Sequence, residues 1–255
     1  MGSSATADTI QHRIYEFLSR SSVADPLHRF GSVLDKTADL YVVGGALRNI
    51  VIDFFHGAPP PTRDIDLFIR LPHAGLKPEA LFEDGSYSFS DFGGIRWQPA
   101  DSEYVFDLCR LQDFVIFKKY RLAPNLKNLL TAIDFDINSI VFDLRRDFFH
   151  ERGCLEAVRR RVMDFNSTLF YNKKTTAYRI LLIRYKCKFG LSRATFDFLK
   201  HEMDLETAVL LKRLFNAKLG RAMAVAIMKD YDRICKYRDY RQYRERAPEA
   251  QNIFA

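Results

Sequence analysis

Cysteine is scarce in this chain and never closely spaced. Cys109, Cys154, Cys187 and Cys235 are the four in 255 residues, and no Cys-x-x-Cys pair occurs. That excludes a disulfide-framed scaffold and a cysteine zinc site, and it fits thiols held in a reducing compartment such as the cytoplasm. No apolar run approaches the ~18 residues of a membrane span. Residues 1–12 lack the apolar core of a secretory signal; Met1-Gly-Ser-Ser-Ala-Thr6 formally fits an N-myristoylation pattern, but the pattern is short and a plain start is the favoured reading. No internal repeat or low-complexity tract is present. Acidic residues number 32 against 39 basic ones, a net charge of +7, which suits a polyanionic partner without singling one out. Hydrophobic residues at 47% and charged residues at 28% leave an ordinary globular balance, enough for a sizeable core.

What is present is concentrated between residues 40 and 70. The run Leu40-Tyr-Val-Val-Gly-Gly-Ala-Leu-Arg-Asn49 reads as a strand passing through two glycines into a helix. Arg63-Asp-Ile-Asp-Leu-Phe-Ile-Arg70 reads as a second strand. Side chains i and i+2 share one face of a strand, so Asp64 and Asp66 point together while Ile65 and Leu67 point into a core. Neighbouring carboxylates repel unless a cation lies between them. The chemistry expected of such a pair is a Mg²⁺ site, of one or two ions, for phosphoryl transfer from an NTP. Gly44 and Gly45 allow backbone N–H groups to approach a phosphate, and Arg48 lies one turn into the helix beside the same mouth. Arg63 either reaches a phosphate or faces solvent. Asp107 interrupts the apolar strand 103–110, a costly position for an unpaired carboxylate. Beside the first acidic strand it becomes a third metal-site residue; otherwise it pairs with Arg110 or another nearby base.

The remaining pattern places helices at 7–20, 26–35 and 46–55, and a short one at 76–83. Short strands at 86–90 and 94–98 flank a turn at 91–94, and helical pieces fill 111–132 with a break at Pro124. A strand-like block covers 133–143, with a short strand at 147–150 and a basic helix at 154–161. Beyond about 168 no strand pattern recurs, and helices fit 170–189, 192–201, 204–217 and 219–244. The expectation is an α+β protein: a helical extension over 1–38, a mixed-sheet head over 39–165 and an all-α part over 166–255. Arg179, Arg184 and Lys188 form one basic helix face, lining a cleft or solvated. The last helix carries Lys236, Arg238, Arg241 and Arg244 among Tyr231, Tyr237, Tyr240 and Tyr243. Such a face either grips RNA through phosphates and stacked bases or packs its tyrosines and solvates its arginines.

These residues resemble a known family. Tyr41-Val-Val-Gly-Gly-Ala-Leu-Arg48 with Asp64-Ile-Asp-Leu67 is similar to the head domain of the tRNA nucleotidyltransferases (CCA-adding enzymes) and bacterial poly(A) polymerases, in the polymerase-beta-type superfamily. Val105-Phe-Asp-Leu108 falls where that family has a further acidic strand residue. Asp134-Phe-Asp-Ile-Asn-Ser139 and Arg184-Tyr-Lys-Cys-Lys-Phe-Gly-Leu191 resemble its later motifs. The resemblance covers roughly residues 39–195. It implies a polymerase-beta-type head with a helical neck and body, and catalytic, metal-holding Asp64, Asp66 and Asp107. It implies nucleotide contacts by Gly44, Gly45, Arg48, Asp134, Asn138 and the neck-helix arginines, and transfer of a nucleoside monophosphate to the 3′ end of a tRNA or tRNA-like RNA. The chain departs from the family at Asn49, where the family has Asp, and at Ala132-Ile133, where it has two arginines. Asp136 replaces Thr, and Lys174-Thr-Thr-Ala-Tyr178 stands where CCA-adding enzymes carry the Glu-Asp-x-x-Arg that selects C and then A. These departures keep two rivals open: the same chemistry on a protein or small-molecule hydroxyl, as in a toxin or defence enzyme, and a catalytically silent RNA- or nucleotide-binding module. Oligomeric state is not legible.

Overall fold

The computed structural model describes residues 3–34, 38–71, 84–89 and 94–247; the expected helix at 76–83 and most of the turn at 91–94 lie outside them. The chain divides into two compact units, one of Met1–Ile133 with Asn138–Cys154, the other of Asp134–Ile137 with Leu155–Ala255. The protein is α+β, with a mixed seven-stranded sheet in the first unit and helices predominating in the second.

In the first unit, α1 (Ser3–Leu18) and α2 (Ser21–Val33) bury Ile10, Ile14, Phe17, Leu18, Val23, Leu27 and Phe30. They precede β1 (Asp39–Val43), α3 (Gly45–His56), β2 (Asp64–Arg70), β3 (Ser86–Phe89), β4 (Ile95–Gln98) and β5 (Val105–Arg110). Short α4 (Val115–Tyr120) and α5 (Leu126–Ala132) follow, then β6 (Ile140–Asp143) and β7 (Phe148–Glu151). The strand order is β3-β4-β5-β2-β1-β6-β7. Among the described residues of this sheet, the central β2–β5 pair runs parallel and the other pairs antiparallel. Alternation on β2 is strict: Ile65, Leu67 and Ile69 are buried, while Asp64, Asp66, Phe68 and Arg70 are partly exposed on the other face. Trp97 of β4 lies on the buried side, edge-on to Phe30 at 5.0 Å between ring centroids, with its Nε1–H donated to the Asp84 carbonyl at 2.8 Å.

The block expected as a strand over 133–143 is one only from Ile140. Its acidic start forms a 3-10 turn, Asp136–Asn138. The Asp134 and Asp136 carboxylates accept from the N–H groups of Phe135 and Ile137, and such local side-chain bonds compete with sheet pairing.

The second unit holds most of α6 (Cys154–Arg159), then β8 (Val162–Met163), α7 (Lys173–Cys187), β9 (Gly190–Leu191), α8 (Arg193–His201), α9 (Leu205–Leu219), α10 (Arg221–Lys236) and α11 (Tyr240–Arg246). The parallel β8–β9 pair was not anticipated, because two residues per strand carry no readable alternation. The long helix expected over 219–244 is two. Lys200 donates to the carbonyls of Tyr237 and Arg238 at the break, and the Asp239 side chain caps α11 through the Gln242 N–H at 2.8 Å. No helix among the described residues is long and apolar enough to cross a membrane.

Candidate active site

The site grows from the central strands of the first unit. Parallel pairing sets Asp66 of β2 opposite Asp107 of β5, about 4.8 Å apart between strands. Asp64 stands two residues earlier on the same face of β2. Three carboxylates on two adjacent strands therefore share one surface, as the acidic motif and the interrupted apolar strand required. On the other side of β2, antiparallel pairing brings Val43, the last residue of β1, opposite Asp66. The chain then turns through Gly44 into α3. Gly44 has φ +74°, a conformation open to glycine, and a Cβ built there would meet an Asp66 carboxylate oxygen at 3.5 Å. The bare turn thus lies directly against the acidic pair.

Sequence reasoning missed the basic residue of this surface. Antiparallel β4–β5 pairing places Arg96 opposite Asp107. Its guanidinium reaches in two directions, to Asp64 Oδ1 at 2.6 Å and to Asp107 Oδ2 at 3.0 Å and Oδ1 at 3.3 Å. The alternative expected for Asp107, a pair with Arg110 or another nearby base, is met by Arg96, while Arg110 binds Asp113. The only signal for Arg96 was its place beside the core-facing Trp97; that it opposes Asp107 follows from register, which the local sequence does not encode. Burial raises the Asp107 carboxyl above its ordinary value, with Arg96 working against this and Asp64 adding to it.

Arg48 and Asn138 come together, both buried. Arg48 donates to Asn138 Oδ1 at 2.7 Å and, through two of its nitrogens, to Asn49 Oδ1 at 3.1 and 2.9 Å. Asn49 passes the connection on to the Pro60 carbonyl at 2.7 Å. This network ties the first turn of α3 to Asn138, just before β6, and to the linker before β2. A Cβ on Gly45 would lie 3.7 Å from the Arg48 guanidinium, so that guanidinium lies just beneath the glycine turn. Arg63 is exposed at the mouth of β2.

In the helical unit, Asp134 and Arg179 hold one another in a two-armed ion pair. Arg184 is placed differently from a cleft-lining residue: its side chain is 3% exposed and bonds Asp230, the Phe189 carbonyl and the Tyr243 hydroxyl. Arg238 and Arg241 pair with Asp239 and Glu245, while Lys236 and Arg244 are exposed on the same stretch. Tyr243 is wholly buried against Phe196, not offered for base stacking.

Among the described residues no three His, Cys, Asp or Glu side chains converge closely enough to hold a metal ion. Asp64, Asp66 and Asp107 offer carboxylate oxygen alone, the donor type Mg²⁺ takes, and two of them hold a cationic group, the Arg96 guanidinium. A separate cavity of about 990 Å³, lined by residues including Tyr41, Arg70, Lys127, Arg146 and Arg152, carries no such carboxylate set. Its Arg70 and Arg146 are bound to Asp39 and Asp143.

No protein-family model and no curated protein matches the chain. Solved structures do. A CCA-adding enzyme in complex with ATP aligns over 84% of this chain and 54% of its own, at 17% identity and a TM-score of 0.55. An apo form of a CCA-adding enzyme aligns over 81% and 49%, at 20% identity and 0.54. The Thermotoga maritima CCA-adding enzyme complexed with tRNA aligns over 76% and 47%, at 19% identity and 0.51. Likeness at this identity shows a shared fold, and the chain spans about half the length of these proteins.

Proposed function

We propose that the protein is a metal-dependent nucleotidyltransferase that moves a nucleoside monophosphate from an NTP to the 3′ end of an RNA, tRNA or tRNA-like, with release of pyrophosphate. The observation that carries this reading is the pairing of Asp66 with Asp107 beside Asp64, directly against the positive-φ turn at Gly44. Three carboxylates and a bare, N–H-rich turn on one surface are the two halves a triphosphate substrate needs. The fold shared with proteins solved with CTP, with ATP and with tRNA supports the same reading.

Asp64, Asp66 and Asp107 would hold the Mg²⁺, which when bound supplies charge neutralisation at the triphosphate and a more acidic attacking hydroxyl. The chain's own groups do the rest. The Gly44-Gly45 turn would present phosphate oxygens with the backbone N–H groups that open α3, the Gly44 N–H itself being donated to the Ile140 carbonyl at 3.1 Å. Arg48 fixes the turn from beneath through Asn138 and adds positive charge there. Arg63 extends that charge to the mouth. Asp134 and Arg179 are one unit of the nucleotide-contacting surface, each orienting the other. Lys236, Arg238, Arg241 and Arg244 supply exposed charge for an RNA backbone.

The test is to incubate the protein with each α-labelled NTP, Mg²⁺, total RNA and cell extract, then find which fraction takes up label. Label in RNA is expected. Label in protein or a small molecule instead would move the acceptor, and binding without transfer would make the chain a silent module. Asp64→Ala with Asp66→Ala is expected to lower transfer by at least a thousandfold, roughly 4 kcal/mol in the barrier. Undiminished transfer in that variant would remove the carboxylates from the chemistry.

A further inference from the structure

Resting on that reading, we infer that Arg96 is a built-in counter-ion that competes with the divalent cation for Asp64 and Asp107. It thereby sets a threshold that metal must exceed to enter. The sheet makes the arrangement specific. In the order β4-β5-β2, Arg96 starts opposite Asp107 and must cross β5 to reach Asp64 on β2. It does both, at 3.0 and 2.6 Å. One guanidinium thus occupies oxygens of two of the three carboxylates that would hold the ion.

The bridge is strong enough to order the site and weak enough to give way. The Arg96 side chain is 46% exposed and those of Asp64 and Asp107 are 48% and 30% exposed, so solvent screens both pairs. A divalent ion brings twice the charge to the same oxygens and, unlike the guanidinium, packs them around a point. Metal entry therefore releases Arg96 toward solvent. At low Mg²⁺ the guanidinium holds Asp64 and Asp107, offsets part of their charge and leaves the site inactive; at high Mg²⁺ it lets go.

Direct metal binding tests this without reference to turnover. Mn²⁺ is titrated into the full chain, free ion being counted by electron paramagnetic resonance, for the wild type, for Arg96→Gln and for Asp64→Asn with Asp66→Asn. The expected result is at least tenfold tighter Mn²⁺ binding in Arg96→Gln than in the wild type, and loss of binding in the double variant. In the wild type, Mg²⁺ titration should move the Arg96 guanidinium signals in the nitrogen-15 spectrum, with the midpoint of metal binding. This second measurement decides the matter even if Arg96→Gln fails to fold. Equal Mn²⁺ affinity in wild type and Arg96→Gln, or metal binding that leaves the Arg96 signals in place, overturns the counter-ion role and leaves the metal site standing. No binding even in Arg96→Gln, or binding that persists in the double variant, overturns the metal site itself and the inference with it.

Discussion

Arg48 looked from the sequence like a phosphate ligand at the mouth; its bonds make it first a strut. Its guanidinium is buried, and replacing it removes the donors of two equally buried acceptors, Asn138 Oδ1 and Asn49 Oδ1. Arg48→Met keeps much of the packing and strands those oxygens, so a loss of about 2–4 kcal/mol is expected in urea denaturation. Asn138→Ala should not add its full effect on top, because both changes break the same bond; a double-mutant cycle that came out additive would deny the coupling. At this scale the acidic pair was legible because strand alternation acts over two residues, and Ile65 and Leu67 supplied the buried side. Asp107 was legible as a charge out of place in an apolar strand. Arg96 was not, since opposition across β4 and β5 depends on where two strands begin to pair. The burial of Arg184 was hidden too: its partners Asp230 and Tyr243 lie far along the chain, and only packing brings them near.

The last two helices show the same division at the level of elements. Periodicity found the helical character of 219–244 but not the break, which is fixed by Lys200 from α8 capturing two carbonyls and by the Asp239 cap. The break decides which of the two expected uses the tyrosines have. Tyr243 turns inward, stacks near Phe196 and Tyr240, and its hydroxyl accepts from the Leu191 N–H at 3.0 Å and from Arg184 at 3.1 Å. Tyr243→Phe keeps the ring and leaves those buried donors without that acceptor, so it should destabilise by about 1–3 kcal/mol in thermal or urea unfolding while leaving RNA affinity near wild type. Arg241 is exposed and pairs along its own helix with Glu245. Arg241→Ala should leave stability near wild type, yet if the helix contacts RNA phosphates it should weaken binding and reduce the salt slope by about 1. A binding isotherm repeated at several salt concentrations reads both quantities; an unchanged slope would assign this face to solvent.

Across the whole molecule, pH acts on the fold from opposite sides. On the acid side stand Asp39 and Asp230. Burial alone would raise both, but Arg70 for the one, and Arg184 with Arg233 for the other, reverse the balance and hold them below the ordinary carboxylate value. Their contribution is present above the unfolded value near 4 and is lost as pH falls below it. On the neutral side stands Asp136 in the helical unit, the residue found where the resembling family has Thr. Burial, with the nearby charge of Asp164, pushes it up to about 7, although the N–H groups of Asp164 and Ile137 bond its carboxylate. The sign is the reverse of the first pair. The unfolded chain ionises Asp136 near pH 4 and the folded chain holds the proton until about 7, so stability declines as pH rises between those values and is level above them. Asp136→Asn keeps an oxygen to accept both N–H groups and removes the charge. Calorimetric unfolding from pH 5 to 8 should therefore show a falling melting temperature for the wild type and a nearly flat one for Asp136→Asn, with the variant the more stable at pH 8. Parallel curves for the two proteins would mean that Asp136 ionises in place and that another group sets the neutral limb.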